Sequence, residues 1–223
     1  MADPSLAQLA GDLSRAKSPE DFHGALRREL ASFNALQEEL IQQGDVRLAC
    51  RDGCFTCCHL RVDVRPPEVF LIADYVRSRF SPQELELLMG RLALHAEKVL
   101  ALTPFEHVTQ NIQCPILRDG RCSIYPVRPH VCRRYHSTDF AACQYVYDNP
   151  DDIEFPGARD NALFRHLGES MEESATVYDA YGFDGQIYEL GTALLEALTS
   201  PACWRRWRDK KKAFLRASIT PTE

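Results

Sequence analysis

The sequence contains no long hydrophobic run. Among its 223 residues, no stretch approaches the roughly 18 consecutive apolar positions of a membrane-spanning helix. The first residues include acidic side chains and a proline, where a secretory signal would have a basic start and an apolar run. We therefore expect a cytoplasmic protein without a membrane span.

Several familiar catalytic motifs are also missing. The sequence has no glycine-rich phosphate loop, nucleophile elbow or paired-carboxylate motif, and it has no internal repeat. Its formal net charge of −6 argues against nucleic acid as a general partner. The absence of these motifs leaves open whether the protein is an enzyme. The remaining signals in the sequence are helix starts and cysteines.

Helix starts are the main secondary-structure signal. Serine or threonine followed by proline is typical of an N-cap and first helical turn, and apolar residues at helical spacing follow. Such starts occur at Ser18-Pro19, Ser81-Pro82, Thr103-Pro104 and Ser200-Pro201, and Pro66-Pro67 is a further candidate. With 45% hydrophobic residues and no alternation typical of a large sheet, the sequence predicts a mainly α-helical fold. The helices should frame a loop-built, cysteine-rich metal site, with little or no sheet.

Three segments are predicted to pack together as one compact domain. They are an N-terminal helical segment (1–46), a cysteine-cluster core (47–147) and a C-terminal helical segment (148–223). Between Pro201 and Ala217 the chain carries a charge of +6, which leaves −12 on the rest. We expect one helix over 201–217, with Trp204, Trp207 and Phe214 on an apolar stripe. Either this stripe docks on the core, or the basic helix presents an anion-binding surface to an acidic protein partner, nucleic acid or a membrane surface.

Nine cysteines are present, and eight of them lie in two stretches rich in proline, glycine and arginine. At about 4% of residues and without an export signal, they indicate metal-binding thiolates rather than a disulfide scaffold. The predicted metal ligands are Cys50, Cys54, Cys57, Cys58, Cys114, Cys122, Cys132 and Cys143, and the four of these we favour most are Cys54, Cys57, Cys122 and Cys132. The ninth, Cys203, is predicted to be a small buried hydrophobe.

Arginine dominates the positive charge around these cysteines. From 47 to 143 the chain has twelve arginines and one lysine. A thiolate-bound metal centre is anionic, and a planar guanidinium can donate several N–H groups to sulfur or to a bound anion. The arginines closest to cysteines, which we predict to contact the cofactor, are Arg121, Arg128, Arg133 and Arg134.

Histidines and one glutamate are secondary candidates. His59, His130 and His136 adjoin or flank cysteines, so each could replace one thiolate, although a supporting role is favoured. Glu68 follows two prolines at a helix start, where a carboxylate stabilises the helix dipole better than it serves as a general base.

The segment from Cys114 to Tyr135, CPILRDGRCSIYPVRPHVCRRY, closely resembles the YkgJ-type cysteine-cluster family, which is described as zinc- or iron-chelating. The family pattern C-x2-C-x2-C-C corresponds to Cys50, Cys54, Cys57 and Cys58, although here three residues separate the first two. The resemblance covers about 50–143. It implies metal chelation and, through related lysine N-methylases, leaves a methyl-transfer enzyme open.

The cofactor and the role of the site therefore have competing interpretations. The C-x3-C-x2-C spacing also occurs in radical-SAM enzymes, but the alternating strands and helices of that class are not predicted here. Cysteine-only sites suit both Zn²⁺ and iron–sulfur clusters. We favour an iron–sulfur cluster such as [4Fe–4S], with a redox or group-transfer role, over a structural zinc module that acts as a protein-interaction domain.

Overall fold

The computed structural model describes residues 4–51 and 53–220, and most of them are helical. The helices are α1 (Pro4–Arg15), α2 (Pro19–Gln43), α3 (Pro66–Arg79), α4 (Pro82–Leu100), α5 (Pro104–Val108), α6 (His130–Arg134), α7 (Phe140–Asp148), α8 (Asn161–Ala180), α9 (Leu190–Thr199) and α10 (Ala202–Arg208). Short 3₁₀ turns occupy Thr56–His59 and Tyr125–Val127. The prediction of a mainly α-helical fold is confirmed.

Three of the predicted proline-containing helix starts have the expected cap geometry, whereas α10 begins one residue after Pro201 and has no side-chain cap, and α3 follows Arg65. At Ser18, Ser81 and Thr103, the side-chain oxygen accepts a hydrogen bond from the backbone N–H three residues later, at 3.1, 3.3 and 3.2 Å. An acidic residue at that third position accepts from the cap backbone in return, which satisfies a second N–H that the helix leaves free. These local contacts explain why α2, α4 and α5 begin where the sequence indicates.

Extended structure is limited to four two-residue strands in the described part of the chain. Strand β1 (Asp63–Val64) pairs antiparallel with β4 (Tyr188–Glu189), and β2 (Leu117–Arg118) pairs antiparallel with β3 (Arg121–Cys122). The turn between β2 and β3 uses Asp119 and Gly120, both with positive φ (50° and 73°). This hairpin fixes the position of Cys122.

Helix α9 lies at the centre of the core. It packs against α3 and α4, and Leu190, Ala193 and Leu194 are almost fully buried. One hydrophobic cluster extends from Leu9 in α1 to Ala217 near the C-terminus, so all three predicted segments contribute to it. Cys203 is fully buried in that cluster, as its apolar assignment requires.

The predicted C-terminal helix over 201–217 is wrong in extent. Helix α10 ends at Arg208, and Lys210 has a left-handed backbone with φ of 59°. The buried carboxylate of Glu196 accepts hydrogen bonds from the backbone N–H groups of residues 215, 216 and 217, at 3.0, 2.8 and 3.2 Å. This long-range contact holds the segment in a non-helical conformation.

The docking interpretation of the aromatic stripe nevertheless holds. Trp207 and Phe214 are fully buried against the core. Five basic side chains of this segment stay exposed, namely Arg205, Lys210, Lys211, Lys212 and Arg216. An acidic partner for them stays a prediction. Across the described ranges, every helix is too short or too polar to cross a membrane.

Candidate metal centre

Six of the eight predicted cysteine ligands line one cavity of about 450 Å³. The cavity lies between the chain around 51–62, the chain from 114 to 135, and Leu190 at the start of α9. The six are Cys54, Cys57, Cys58, Cys114, Cys122 and Cys132. Two stretches that are distant in sequence are therefore brought together around one space.

The first group of cysteines is shaped by a tight turn. Gly53 has a φ of 75°, which favours glycine, and the N–H of Cys54 donates to the carbonyl of Arg51 at 3.1 Å. The following 3₁₀ turn carries Cys57 and Cys58. This compact backbone lets neighbouring cysteines face the same cavity, whereas an extended strand would point them to opposite sides.

The second group is carried by a turn, a hairpin and a short helix. Cys114 precedes β2, Cys122 ends β3, and Cys132 lies in α6. The backbone N–H of Cys114 donates to the carbonyl of Cys58 at 2.7 Å. This bond joins the two cysteine groups directly and sets the width of the cavity at that point.

Cys50 and Cys143 lie outside this cavity wall. Cys50 is exposed, and Cys143 is on α7, which packs against the 3₁₀ turn. Burial, followed by the neighbouring thiols of Cys50, Cys57 and Cys54, raises the pKa of Cys143. The two residues thus form a second, outer group that is near the first one.

Four of the cavity thiols, namely Cys57, Cys114, Cys122 and Cys132, have a raised pKa and are disfavoured as thiolates in the absence of a cation. Burial, followed by the thiols of Cys114, Cys57 and Cys122, raises the pKa of Cys132 well above its ordinary value. Burial also raises the pKa of Cys114 to about 12. A bound metal cation would reverse this balance, because it stabilises the deprotonated ligands that it needs.

Arg128 has the features of a donor to an anionic centre. It lines the cavity, and its guanidinium lies 4.2 Å from the centre of the Tyr125 ring. Its Nε is buried and has no hydrogen-bond partner among the described residues. Its charge acts on Cys57, Cys122 and Cys132, lowering the pKa of each against the larger effect of burial.

The other three predicted arginines have different surroundings. Arg121 lines the cavity. Arg133 is buried, and burial lowers its pKa to about 10. Its side chain donates to the carbonyls of Arg128 (3.0 Å) and Pro126 (2.9 Å), and these bonds hold the loop in place. Arg134 faces α8, where its Nε donates to the Phe164 carbonyl at 2.9 Å.

The three candidate histidines are not among the residues that line the cysteine cavity. Both ring nitrogens of His136 have backbone partners, the carbonyl of Arg134 and the N–H of Asp160. His59 packs on Tyr147, with 5.0 Å between ring centres. His130 lies between the carboxylates of Glu29 and Glu68, whose charges outweigh burial and raise its pKa to about 10.

Part of this environment has no local sequence signal. Leu60, Ile116, Ile124 and Leu190 form an apolar wall of the cavity, and Glu29 reaches His130 from α2. The apolar wall and the contact between Glu29 and His130 both depend on how helices that are distant in sequence pack together. Tyr125 and Tyr135 line the cavity and are partly exposed, so they lie at its rim.

The donor set fits a soft metal or cluster. Thiolates select zinc, copper(I) or iron–sulfur centres over hard cations. Within residues 4–51 and 53–220, no three His, Cys, Asp or Glu side chains already converge as a site for a single metal ion. The cysteines surround a space instead, which Arg128, whose Nε has no partner among the described residues, also lines.

Comparison with known proteins gives one family. Residues 49–152 match the CxxCxxCC family, whose description reads "Putative zinc- or iron-chelating domain". All eight clustered cysteines lie within the match. Neither the curated proteins nor the solved structures give a significant match to the chain. Residues 49–152 are therefore similar to the CxxCxxCC family of zinc- or iron-chelating domains, and this similarity supports metal binding by that part of the chain.

Proposed function

We propose that the cysteine cavity holds an iron–sulfur cluster, which the protein uses in redox or group-transfer chemistry. The proposed ligands are Cys57, Cys114, Cys122 and Cys132. All four line the cavity, and the thiols that act most strongly on Cys132 are the other three. Compared with the four cysteines favoured from the sequence, this set contains Cys114 instead of Cys54. The sulfur of Cys54 lies 3.8 Å from the Thr56 hydroxyl.

The size of the cysteine-lined cavity carries this proposal. Four thiolates hold a zinc ion at about 2.3 Å each, so a structural zinc site closes on itself and needs no additional space. The cavity of about 450 Å³ has room for a group of several atoms. An iron–sulfur cluster is such a group, and it is held by thiolates alone.

The protein's own residues would support such a centre in two ways. Arg128 would donate through Nε to a cluster sulfur or to an anion beside it. The apolar wall would exclude water on one side, while the partly exposed Tyr125 leaves an approach from solvent. When bound, a cluster with four thiolate ligands supplies electron transfer, and group transfer would require one iron to exchange its thiolate for the substrate.

Anaerobic purification followed by metal and sulfide analysis tests the proposal. We expect brown protein with about four iron and four sulfide per chain and a Mössbauer spectrum typical of a [4Fe–4S] cluster. Colourless protein with stoichiometric zinc would contradict it. That result would favour the structural zinc module as the alternative function.

Serine substitutions test the ligand set. Cys57→Ser, Cys114→Ser, Cys122→Ser and Cys132→Ser should each lower bound iron and the unfolding temperature, because metal binding and folding are coupled. Cys203→Ser is the matched control, since Cys203 lies in the main hydrophobic core. Iron content that is unchanged in all four variants, or lost in the control, would refute the assignment.

A further inference from the structure

A second cavity, of about 140 Å³, lies behind the cysteine cavity. It is enclosed by parts of α2, α3, α6 and α8. Arg128, Pro129 and Val131 line both cavities, so this short stretch forms a shared wall. Most of the other lining side chains are apolar, including Leu30 and Leu71.

One end of this second cavity is polar and negatively charged. The Nε2 of His130 lies 3.3 Å from Glu29 Oε2, and its Nδ1 lies 3.3 Å from Glu68 Oε1. All three side chains are nearly buried. Two carboxylates face a single imidazole, so this end is net negative whether or not the imidazole is charged.

One buried polar atom at this end is unsatisfied. The hydroxyl of Tyr178 has no hydrogen-bond partner within the described ranges, although the residue is more than nine-tenths buried. Buried polar groups in proteins almost always have a partner. Tyr178 lines the cavity, so its hydroxyl indicates a ligand that would bond to it.

Two arginines line the rim of this cavity, and neither is paired with Glu29 or Glu68. Arg65 donates to the carbonyl of Gly185 at 2.6 Å and pairs with Glu172 at 3.3 Å. Arg128 stacks on Tyr125 at the wall shared with the cysteine cavity. Glu29 and Glu68 instead share the imidazole of His130 as their ion-pair partner.

We propose that this second cavity binds a small aliphatic ammonium ion. The ammonium group would donate to Glu29 and to the oxygen of Tyr178, and the alkyl chain would lie against the apolar wall. The cavity volume is close to that of an engineered cavity of about 150 Å³ that binds benzene, so a ligand of about six heavy atoms fits. This proposal is independent of which metal occupies the cysteine site.

Calorimetric titration of the full chain with three matched probes tests the proposal. n-Butylammonium, butan-1-ol and butyrate have nearly the same size and differ in the charge of the polar end. We expect saturable binding of n-butylammonium at least tenfold tighter than that of butan-1-ol, and no binding of butyrate. Equal binding of the ammonium and the alcohol would mean an apolar cavity only and would overturn the proposal.

Two variants locate the binding. Glu29→Gln should weaken n-butylammonium binding roughly tenfold, because a hydrogen bond to a charged group is lost. Tyr178→Phe should weaken it several-fold, and it removes a hydroxyl that has no partner in the described structure, so the fold should persist. Glu38→Gln, at an exposed position of the same helix, is the matched control. Undiminished binding in both cavity variants would refute the site.

Discussion

Arg128 and Arg133 show how two arginines of one loop can have different tasks. The guanidinium of Arg133 donates hydrogen bonds to backbone carbonyls of the loop, one of which belongs to Arg128 itself. Arg128 keeps a buried Nε without a partner among the described residues, and the residue lines the cysteine cavity. One arginine therefore positions the loop, and the other is placed to interact with what the cavity holds.

Lysine substitutions should separate these tasks. Arg128→Lys keeps the charge but removes the planar donor, so we expect a changed visible spectrum or weaker metal binding with little loss of stability. Arg133→Lys should lower the free energy of unfolding by about 1–3 kcal/mol, because loop carbonyls lose their buried donor. Chemical unfolding and metal titration would measure both effects.

Arg205→Lys, at an exposed position of α10, is the control for both variants. If Arg128→Lys and Arg133→Lys both keep the wild-type spectrum and metal affinity, neither arginine supports the site.

Glu189 gives the protein a predictable dependence on acid. Its buried carboxylate bonds to His95 Nε2 at 2.9 Å and caps α9 through the N–H groups of Gly191 and Thr192. Burial opposes its ionisation, but the bond to His95 and these N–H groups outweigh burial and lower its pKa. The ionised form is therefore stabilised by folding.

The sign of this effect sets its pH range. A glutamate whose folded pKa lies below its unfolded value of about 4.3 stabilises the fold above that value. The contribution is lost as the pH falls further, toward the folded pKa. Urea unfolding across this range should show a shallower acid loss of stability for Glu189→Gln than for wild type. Glu97→Gln, at an exposed site on α4, should follow wild type, and identical slopes for Glu189→Gln and wild type would disprove the linkage.

At the scale of elements, the β2–β3 hairpin is the part of the site that depends most on one backbone conformation. Gly120 has a φ of 73°, and a side chain there would be strained. Because β3 ends in Cys122, a shifted turn would move that sulfur.

Two alanine substitutions test this dependence. Gly120→Ala should cost about 1–2 kcal/mol of stability and lower metal retention. Gly90→Ala, within α4 and surrounded by open space, should instead add about 0.5–1 kcal/mol. Thermal unfolding and metal analysis would measure both. Effects of the same sign would show that the turn is not constrained as described.

The sequence predicted the elements whose cause is local. Ser18, Ser81 and Thr103 each make a cap with a residue three positions later, so their helices could be found from short patterns. Helices α8 and α9 are capped by Asp160 and Glu189 without a following proline, and that start signal is missing there. The predicted C-terminal helix extended wrongly beyond Arg208. The conformation of the chain around residue 216 is instead determined by Glu196, which lies in α9.

The same distinction applies to the site. Cysteine spacing and the proline-stiffened loop identified the thiols, because those features lie within short segments. The cavity itself requires the contact between Cys58 and Cys114 and the position of Leu190, which depend on the packing of α3, α4 and α9. Glu29 and Tyr178 gave no signal, because each lies on a separate long helix.

For the whole molecule, stability should be unevenly distributed. The helices around α9 are held by a continuous hydrophobic core, whereas the cysteine-bearing segments have short elements and few buried apolar side chains. Local opening is expected where apolar contacts are few. Metal removal should therefore loosen the cysteine-bearing segments first.

Hydrogen exchange with and without metal would test this expectation. Treatment of the full chain with a chelator should increase amide exchange across 51–62 and 114–135. Exchange in α3, α4 and α9 should change little. A uniform increase throughout the chain would mean that the metal supports the whole fold, and unchanged exchange in both loops would mean that the loops do not hold it.

The backbone bond between Cys114 and Cys58 also orders events in time. The first cysteine group leaves the ribosome well before the second, and the two meet only after the intervening chain has folded back through α3, α4 and α5. Closing a loop of this length carries an entropic cost that the packing of those helices must offset. A metal centre shared by both groups therefore forms together with this closure, so metal loading reports that the two distant groups have met.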